Sequence, residues 1–301
     1  MSRPTRDTPA GRAYLDLQNR ARAEARGTQE LLVLYVVERW LARLSASPYA
    51  DQFVLKGGML LAAFDARRPT ADADTLARNI SNDEATVAAR VIEIANQPAP
   101  EDGVDFRDET ATSRVIRDAD LYAGVRIRMD CAIATAHVKF RLDVNFGDPI
   151  TPAPQLIDLP ALRPGDPPVR VLGYPLETIL AEKIITAIAL GPVNTRVRDY
   201  ADIYTLTSTR PLTQAAVREA LIATARHRAV AVAPLSKAIG NLIALRAGTY
   251  TAYRSGLGPD SDRLPPDFEA LVAAVTGFAD GLVDEAQPST RWNPAARRWD
   301  S

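Results

Sequence analysis

Seven prolines fall between residues 148 and 168. They divide the chain into two halves of different character. Proline fixes φ and has no amide hydrogen, so this stretch can be neither a helix nor a central strand. It reads as a connector that wraps a surface. Before it, residues 104–146 read as strands: Leu121 to Met129 alternates apolar and polar residues in part, and Val138 to Phe146 alternates cleanly. After it, from Pro175 onward, apolar residues recur at helical spacing over 175–190, 196–208, 213–227, 232–246 and 266–283. The expected fold class is therefore α+β, a mixed sheet with helices followed by an all-helical C-terminal lobe. The expected division is a core with N-terminal helices over 1–168, a helical lobe over 169–283 that completes an active site, and a polar tail over 284–301. That tail is either mobile or docked through Trp292 and Trp299.

Upstream, residues 10–26 read as a polar helix and residues 28–46 as a helix with a stripe of Leu31, Leu32, Tyr35, Val36 and Leu41. Ser81-Asn82-Asp83-Glu84 is a capping pattern that starts a helix running to about Asn96.

Composition narrows the function classes. Hydrophobic residues make up 47% of the 301 residues, enough for a sizeable core. No apolar run reaches the roughly 18–20 residues that span a bilayer, and the first residues lack the apolar centre of a signal peptide. A single cysteine, Cys131, excludes an internal disulfide framework and a cysteine-rich zinc site. A cytoplasmic monomer with no membrane association is expected. Of 36 basic residues only four are lysines, namely Lys56, Lys139, Lys183 and Lys237. Where arginine is the default, a retained lysine marks a place for a compact ammonium.

Chemistry concentrates in two places. Phe53-Val54-Leu55 reads as a buried strand leading through Lys56 into Gly57-Gly58, with a helix starting near Met59. Glycines let backbone N–H groups approach phosphate oxygens closely, and the helix adds its positive end. Asp72-Ala73-Asp74 opens a strand over 72–77. Residues i and i+2 of a strand face one side, and two adjacent carboxylates call for a cation. Oxygen donors without histidine or cysteine point to Mg²⁺ or Mn²⁺. Asp143, flanked by Leu142 and Val144, is the best candidate for a third carboxylate from another strand, and Asn145 shares its face. The second cluster pairs Lys183, on an otherwise apolar helix, with Asp199 and Asp202, which share a helix face. A buried lysine there either meets an anion or snorkels out, and a helix–helix salt bridge is the plain structural alternative.

Lys56-Gly57-Gly58, Thr70-Ala71-Asp72-Ala73-Asp74, Leu180-x-x-Lys183 and Arg198-Asp199-x-x-Asp202 together resemble the motifs of the AbiEii-type nucleotidyltransferases. These are toxins of toxin–antitoxin systems that include the MenT group, within the DNA polymerase β-like nucleotidyltransferase superfamily. The resemblance covers roughly residues 50–206. It implies a mixed-sheet nucleotidyltransferase core, Mg²⁺ and a nucleoside triphosphate donor, with CTP or UTP expected. It also implies a cognate antitoxin and transfer of a nucleotide to the 3′ end of tRNA, which blocks translation. Carried over by position, Asp72 and Asp74 would hold metal and Lys183 would contact the triphosphate. Lys56, Gly57, Gly58 and Thr70 would line the nucleotide, and Asp199 or Asp202 would match a later family aspartate. Two departures stand out: Met59 follows the glycine pair where the family commonly has Thr or Ser, and Arg68-Pro69-Thr70 stands where it has Arg-Phe/Tyr-Ser. Thr70 keeps a hydroxyl two residues before Asp72, at a position where some members are silenced by phosphorylation.

Two other readings share these residues. One is nucleotide transfer to a protein hydroxyl or a small molecule on the same core. The other is a nucleotide- or partner-binding module without catalysis. An RNA acceptor would be held through its phosphates by arginines, with the N-terminal arginines, Arg67, Arg68, Arg126 and Arg128 as candidates.

Overall fold

The structure, a computed structural model, describes residues 3–68, 70, 72–117, 123–283 and 289–300. Pro69, Ala71, Leu121, Tyr122 and Pro288, which entered the sequence reading, lie outside the described residues. The chain forms two compact units, Met1–Gly147 with Gln155–Gly173, and Asp148–Pro154 with Tyr174–Ser301.

The first unit begins with α1 (Pro9–Ala23) and α2 (Thr28–Ala46), then β1 (Phe53–Lys56) and α3 (Gly57–Leu60), which tightens into a 3₁₀ turn over Leu61–Phe64. There follow β2 (Ala73–Ala77), α4 (Glu84–Ala95), the long strands β3 (Asp105–Arg117), β4 (Ala123–Ile133) and β5 (Ala136–Phe146), and finally β6 (Gln155–Leu159) and β7 (Val169–Gly173). Local signals set the helix starts. Thr8 Oγ1 accepts from the Gly11 amide at 3.1 Å, with Pro9 at the first helical position. The cap of α4 is Asp83, whose carboxylate accepts from the Thr86 amide at 2.9 Å.

The seven strands form one mixed sheet in the order β3-β4-β5-β2-β1-β7-β6. β2 runs antiparallel to β1 and parallel to β5, and β1 runs parallel to β7. Along β4 and β5 large apolar side chains take every second position. Val125, Ile127, Met129, Cys131 and Ile133 are buried, as are Val138, Phe140, Leu142 and Val144. This face packs on α2, where Trp40 meets Phe53 edge-on at 5.8 Å and Phe140 at 5.8 Å, and gives its indole N–H to the Val91 carbonyl. The intervening residues point to the opposite face, which carries the charged groups described below.

The second unit contains α5 (Leu176–Leu190), α6 (Val197–Thr209), α7 (Gln214–His227), α8 (Leu235–Ala238), α9 (Leu242–Ser255), α10 (Phe268–Asp280) and a hairpin of β8 (Arg291–Asn293) and β9 (Arg298–Asp300). α5 is buried on most sides and packs against α6, α7 and α8. Among the described residues, no helix is long and apolar enough to cross a membrane.

Three details differ from the sequence reading. The proline-bearing stretch 148–168 supplies β6, which contains no proline itself and lies at the sheet edge, where pairing is needed on one side only. The first unit accordingly extends to Gly173 rather than 168, because β7 pairs with both β1 and β6. The helix read over 232–246 is two, α8 and α9, separated by Gly240 at φ +49, a left-handed conformation that ends a helix. The segment read as a tail is docked over the described residues 289–300. Trp292 is 1% exposed, donates to the Thr207 carbonyl at 2.7 Å, and meets Phe278 edge-on at 4.8 Å. Trp299 stacks on Phe278 at 5.1 Å. Of the two alternatives for the tail, these residues take the tryptophan-docked one.

Trp292→Ala is therefore expected to destabilise the protein by about 3–5 kcal/mol, as a lower midpoint in urea unfolding. An unchanged midpoint would show that the hairpin contributes nothing to the second unit.

Candidate nucleotidyl-transfer site

In the first unit the register of four strands assembles a row of charge on the face away from α2. Lys56 of β1 is the Cα partner of Asp74 in β2, Asp74 is the partner of Asp143 in β5, and Asp143 is the partner of Arg126 in β4. Directly opposed residues in a sheet point to one side. Two cations thus flank two carboxylates at one level. Arg126 binds Asp143 through both donors of its fork, at 2.7 and 2.6 Å. That bond, with the nearby charges of Asp143, Asp72 and Asp74, raises the Arg126 pKa above its ordinary value against the effect of burial. Asp72 lies just ahead of β2. It meets Arg141 of β5 at 3.2 Å, and the same guanidinium stands 3.8 Å from Asp143. Asp74 and Asp143 are thus directly paired across β2 and β5, while Asp72, which precedes β2 and so lies outside the i, i+2 strand argument, is linked to Asp143 through Arg141.

The glycine pair closes against this row. Gly57 has φ +70, and a Cβ built on it would lie 2.1 Å from Asp74 Oδ2. No side chain fits there, so backbone and carboxylate touch directly. A Cβ on Gly58 would lie 3.0 Å from Thr70 Oγ1 and 3.1 Å from Arg68 Nη1. The Thr70 hydroxyl donates to the Asp72 carbonyl at 3.2 Å, which ties the residues ahead of β2 into a turn. α3 is a single turn, too short to carry a helix dipole, so the positive end expected at Met59 amounts to its first amides only.

The donor chemistry fits a hard divalent cation, since every ligand available is a carboxylate oxygen. Among the described residues no three acidic, histidine or cysteine side chains converge as a ready metal cage. Arg126 pairs with both oxygens of Asp143, and Arg141 with one of Asp72. Asp72 and Asp74 are the residues that would hold a cation here, with Asp143 engaged by a guanidinium.

The second unit carries its own cluster. Lys183 of α5 donates to Asp199 at 2.8 Å and to Asp202 at 2.7 Å, both on one face of α6. Its side chain is 14% exposed. The sequence left open which aspartate serves the lysine, and both do. Burial works against the charge of Asp199, but Lys183, with Arg198 and Arg196 nearby, holds its carboxyl below the ordinary range. The neighbouring Glu182 pairs with Arg228, the residue that follows α7, at 3.3 Å. The arginine partners of the acid row escaped the sequence reading. The signal existed: the turn between Ile133 and Ala136, which are partners, fixes every pairing of β4 with β5, Arg126 with Asp143 included.

Comparison with known proteins agrees with this layout. The model of a family described as "Nucleotidyl transferase AbiEii toxin, Type IV TA system" matches residues 39–274. A solved structure described as a "putative nucleotidyltransferase from H. pylori" is similar over 85% of this chain and 95% of its own, with 15% identity and a TM-score of 0.51. That likeness is one of fold. JHP933 from Helicobacter pylori also matches, over 66% of this chain and 80% of its own, at 14% identity and a TM-score of 0.43. No curated protein matches.

Gly57→Ala is expected to displace Asp74 and to cost about 1–2 kcal/mol from the left-handed backbone alone; a urea-unfolding midpoint equal to that of wild type would contradict the close contact. The Asp199 carboxyl, depressed in the folded state, contributes stability that is fully present above its unfolded pKa of about 3.9 and is lost as pH falls through the folded value. Asp199→Asn should therefore cost about 2–3 kcal/mol near neutrality, with the gap to wild type closing in acid. Urea unfolding from about pH 7 to pH 2 measures this, and a gap independent of pH would refute it.

Proposed function

The chain belongs to the AbiEii nucleotidyltransferase toxin family, and on that premise we propose that it transfers a nucleoside monophosphate from a nucleoside triphosphate, CTP or UTP, to the 3′ end of tRNA. The observation that carries this reading is the in-register pairing of Asp74 with Asp143, closed by the Gly57 backbone against Asp74. What supports it is a glycine without a side chain held directly against one carboxylate of an acidic pair, the backbone type that phosphate-binding turns use.

In the reaction the terminal RNA hydroxyl gives up its proton to water, its oxygen forms a bond to the α-phosphorus, the bond from that phosphorus to the bridging oxygen breaks, and pyrophosphate leaves. Mg²⁺ or Mn²⁺, held by Asp72 and Asp74, would supply charge stabilisation at the attacking and leaving oxygens. Gly57 and Gly58 orient the triphosphate through their amides. Arg126 fixes Asp143 beside the acidic pair. Lys183 is the cation that the family resemblance assigns to the triphosphate, and Asp199 and Asp202 hold its ammonium in a single position. The type IV toxin–antitoxin family implies an antitoxin as partner. Thr70 is the position where a phosphoryl group would switch the site off, because nearly two negative charges would enter beside Gly58 and the carboxylates.

The test is incubation of the purified chain with total RNA, Mg²⁺ and each labelled nucleoside triphosphate in turn, with Asp74→Ala in parallel. Label from CTP or UTP is expected in tRNA-sized material, falling by about 100-fold or more in the variant. Label entering protein instead would move the acceptor to a protein hydroxyl, and no transfer to RNA with any nucleotide would overturn the RNA reading. Expression of wild type should arrest growth and expression of the variant should not.

A further inference from the structure

The face that carries the acid row continues outward over β3, β4 and β5, and its charge pattern there is not that of an ordinary surface. Arg114 of β3 is the direct Cα partner of Arg126 in β4, and Arg128 of β4 is the direct partner of Arg141 in β5. Two adjacent like-charged pairs thus share one face. Like charges directly opposite one another destabilise a sheet, so a protein with no use for them would replace one member of each. Arg126 and Arg141 are balanced by Asp143 and Asp72. Arg114 and Arg128 are exposed, and neither meets a carboxylate among the described residues. Other surface arginines of this chain do, as Arg170 does with Asp158 and Arg298 with Asp300. Further along the same face Lys139 is 80% exposed and bonded to Asp130.

We propose that this open face of β3, β4 and β5 is the track for the phosphates of the acceptor RNA, with Arg114 and Arg128 as its principal contacts. The inference rests on the RNA-acceptor reading above and specifies where that RNA lies. Guanidinium forks match phosphate oxygens in pairs. Arg114 and Arg128 sit at different levels of neighbouring strands, about 7 Å apart along the strand direction and one strand spacing across, as fits an extended anionic chain rather than one small anion. Arg126 and Arg141 already bridge the track to the acid row, so a strand lying on it leads directly to Asp72, Asp74 and Asp143. The bound polyanion would remove the repulsion that the free sheet tolerates.

The test compares wild type with Arg114→Ala/Arg128→Ala. Binding of a fluorescent tRNA transcript is measured by anisotropy over a range of salt concentrations, alongside melting temperature, nucleoside triphosphate affinity and RNA labelling. The double variant is expected to bind RNA roughly tenfold more weakly at 0.1 M salt, with the log–log salt slope reduced by about 2. Its nucleotide affinity should be unchanged and its melting temperature equal or higher, since only repulsion has been removed. RNA labelled and bound by wild type, with affinity and salt slope unaltered in the variant, would overturn the track and leave the transferase reading intact. Wild type that neither binds nor labels RNA while labelling protein would remove the RNA acceptor itself, and the track with it.

Discussion

Everything in the first unit depends on β2 lying parallel to β5 in a register that sets Asp74 beside Asp143. A parallel pair cannot be joined by a tight turn. The chain leaves β2, crosses through α4, and returns by way of the β3–β4–β5 meander. That detour is what places two long, half-exposed strands outboard of the acids. Putting carboxylates on neighbouring strands is costly, and the sheet offsets the cost within its own plane. Lys56 stands opposite Asp74 on one side, Arg126 opposite Asp143 on the other, and Arg141 reaches Asp72. The same register forbids a side chain at residue 57, so strand pairing is by itself enough to require the glycine.

The second unit solves a related problem with helices. α5 is apolar around most of its surface, and Lys183 would be expensive there alone. Two carboxylates spaced three residues apart on α6 meet it from one side. In these two clusters the opposing group arrives on a regular element, strand against strand for Asp143 and helix against helix for Lys183. Removing one member of such a set leaves a charge stranded, which is why pairs of this kind cost more to break than to replace outright.

Much of this was legible in the sequence where one period governs. The alternation of Val138 to Phe146 gave β5, and with it the position of Asp143 on the face opposite to Leu142 and Val144. The helical spacing gave α5, α6 and α7 to within a residue or two at their ends. What escaped depends on partners far away in the chain. β6 is a strand because β7 offers it a ladder, not because Gln155 to Leu159 alternates well. Docking through Trp292 was one of the two readings of the tail, but its partners Thr207 and Phe278 could not be read from the tail itself. The arginine partners of the acids sat between these extremes. They were hidden until the β4–β5 turn fixed the pairing, after which every opposite residue followed.

The scarcity of lysine sharpened the sequence reading only in part, and the structure explains why. Lys183 sits between two carboxylates on one helix face, where a compact ammonium can donate to both at 2.7–2.8 Å; a planar guanidinium would favour one carboxylate in a bidentate fork. Arg126, by contrast, faces a single carboxylate across a strand pair and fills both of its oxygens. Exchanging the two residue types would leave each geometry poorly served. Yet Lys139 and Lys237 lie exposed, and neither belongs to a buried cluster. Lysine among arginines is thus informative where the surrounding helix or strand is apolar and the ammonium must be met from within the fold. On an open surface it says nothing, because water serves both cations equally well.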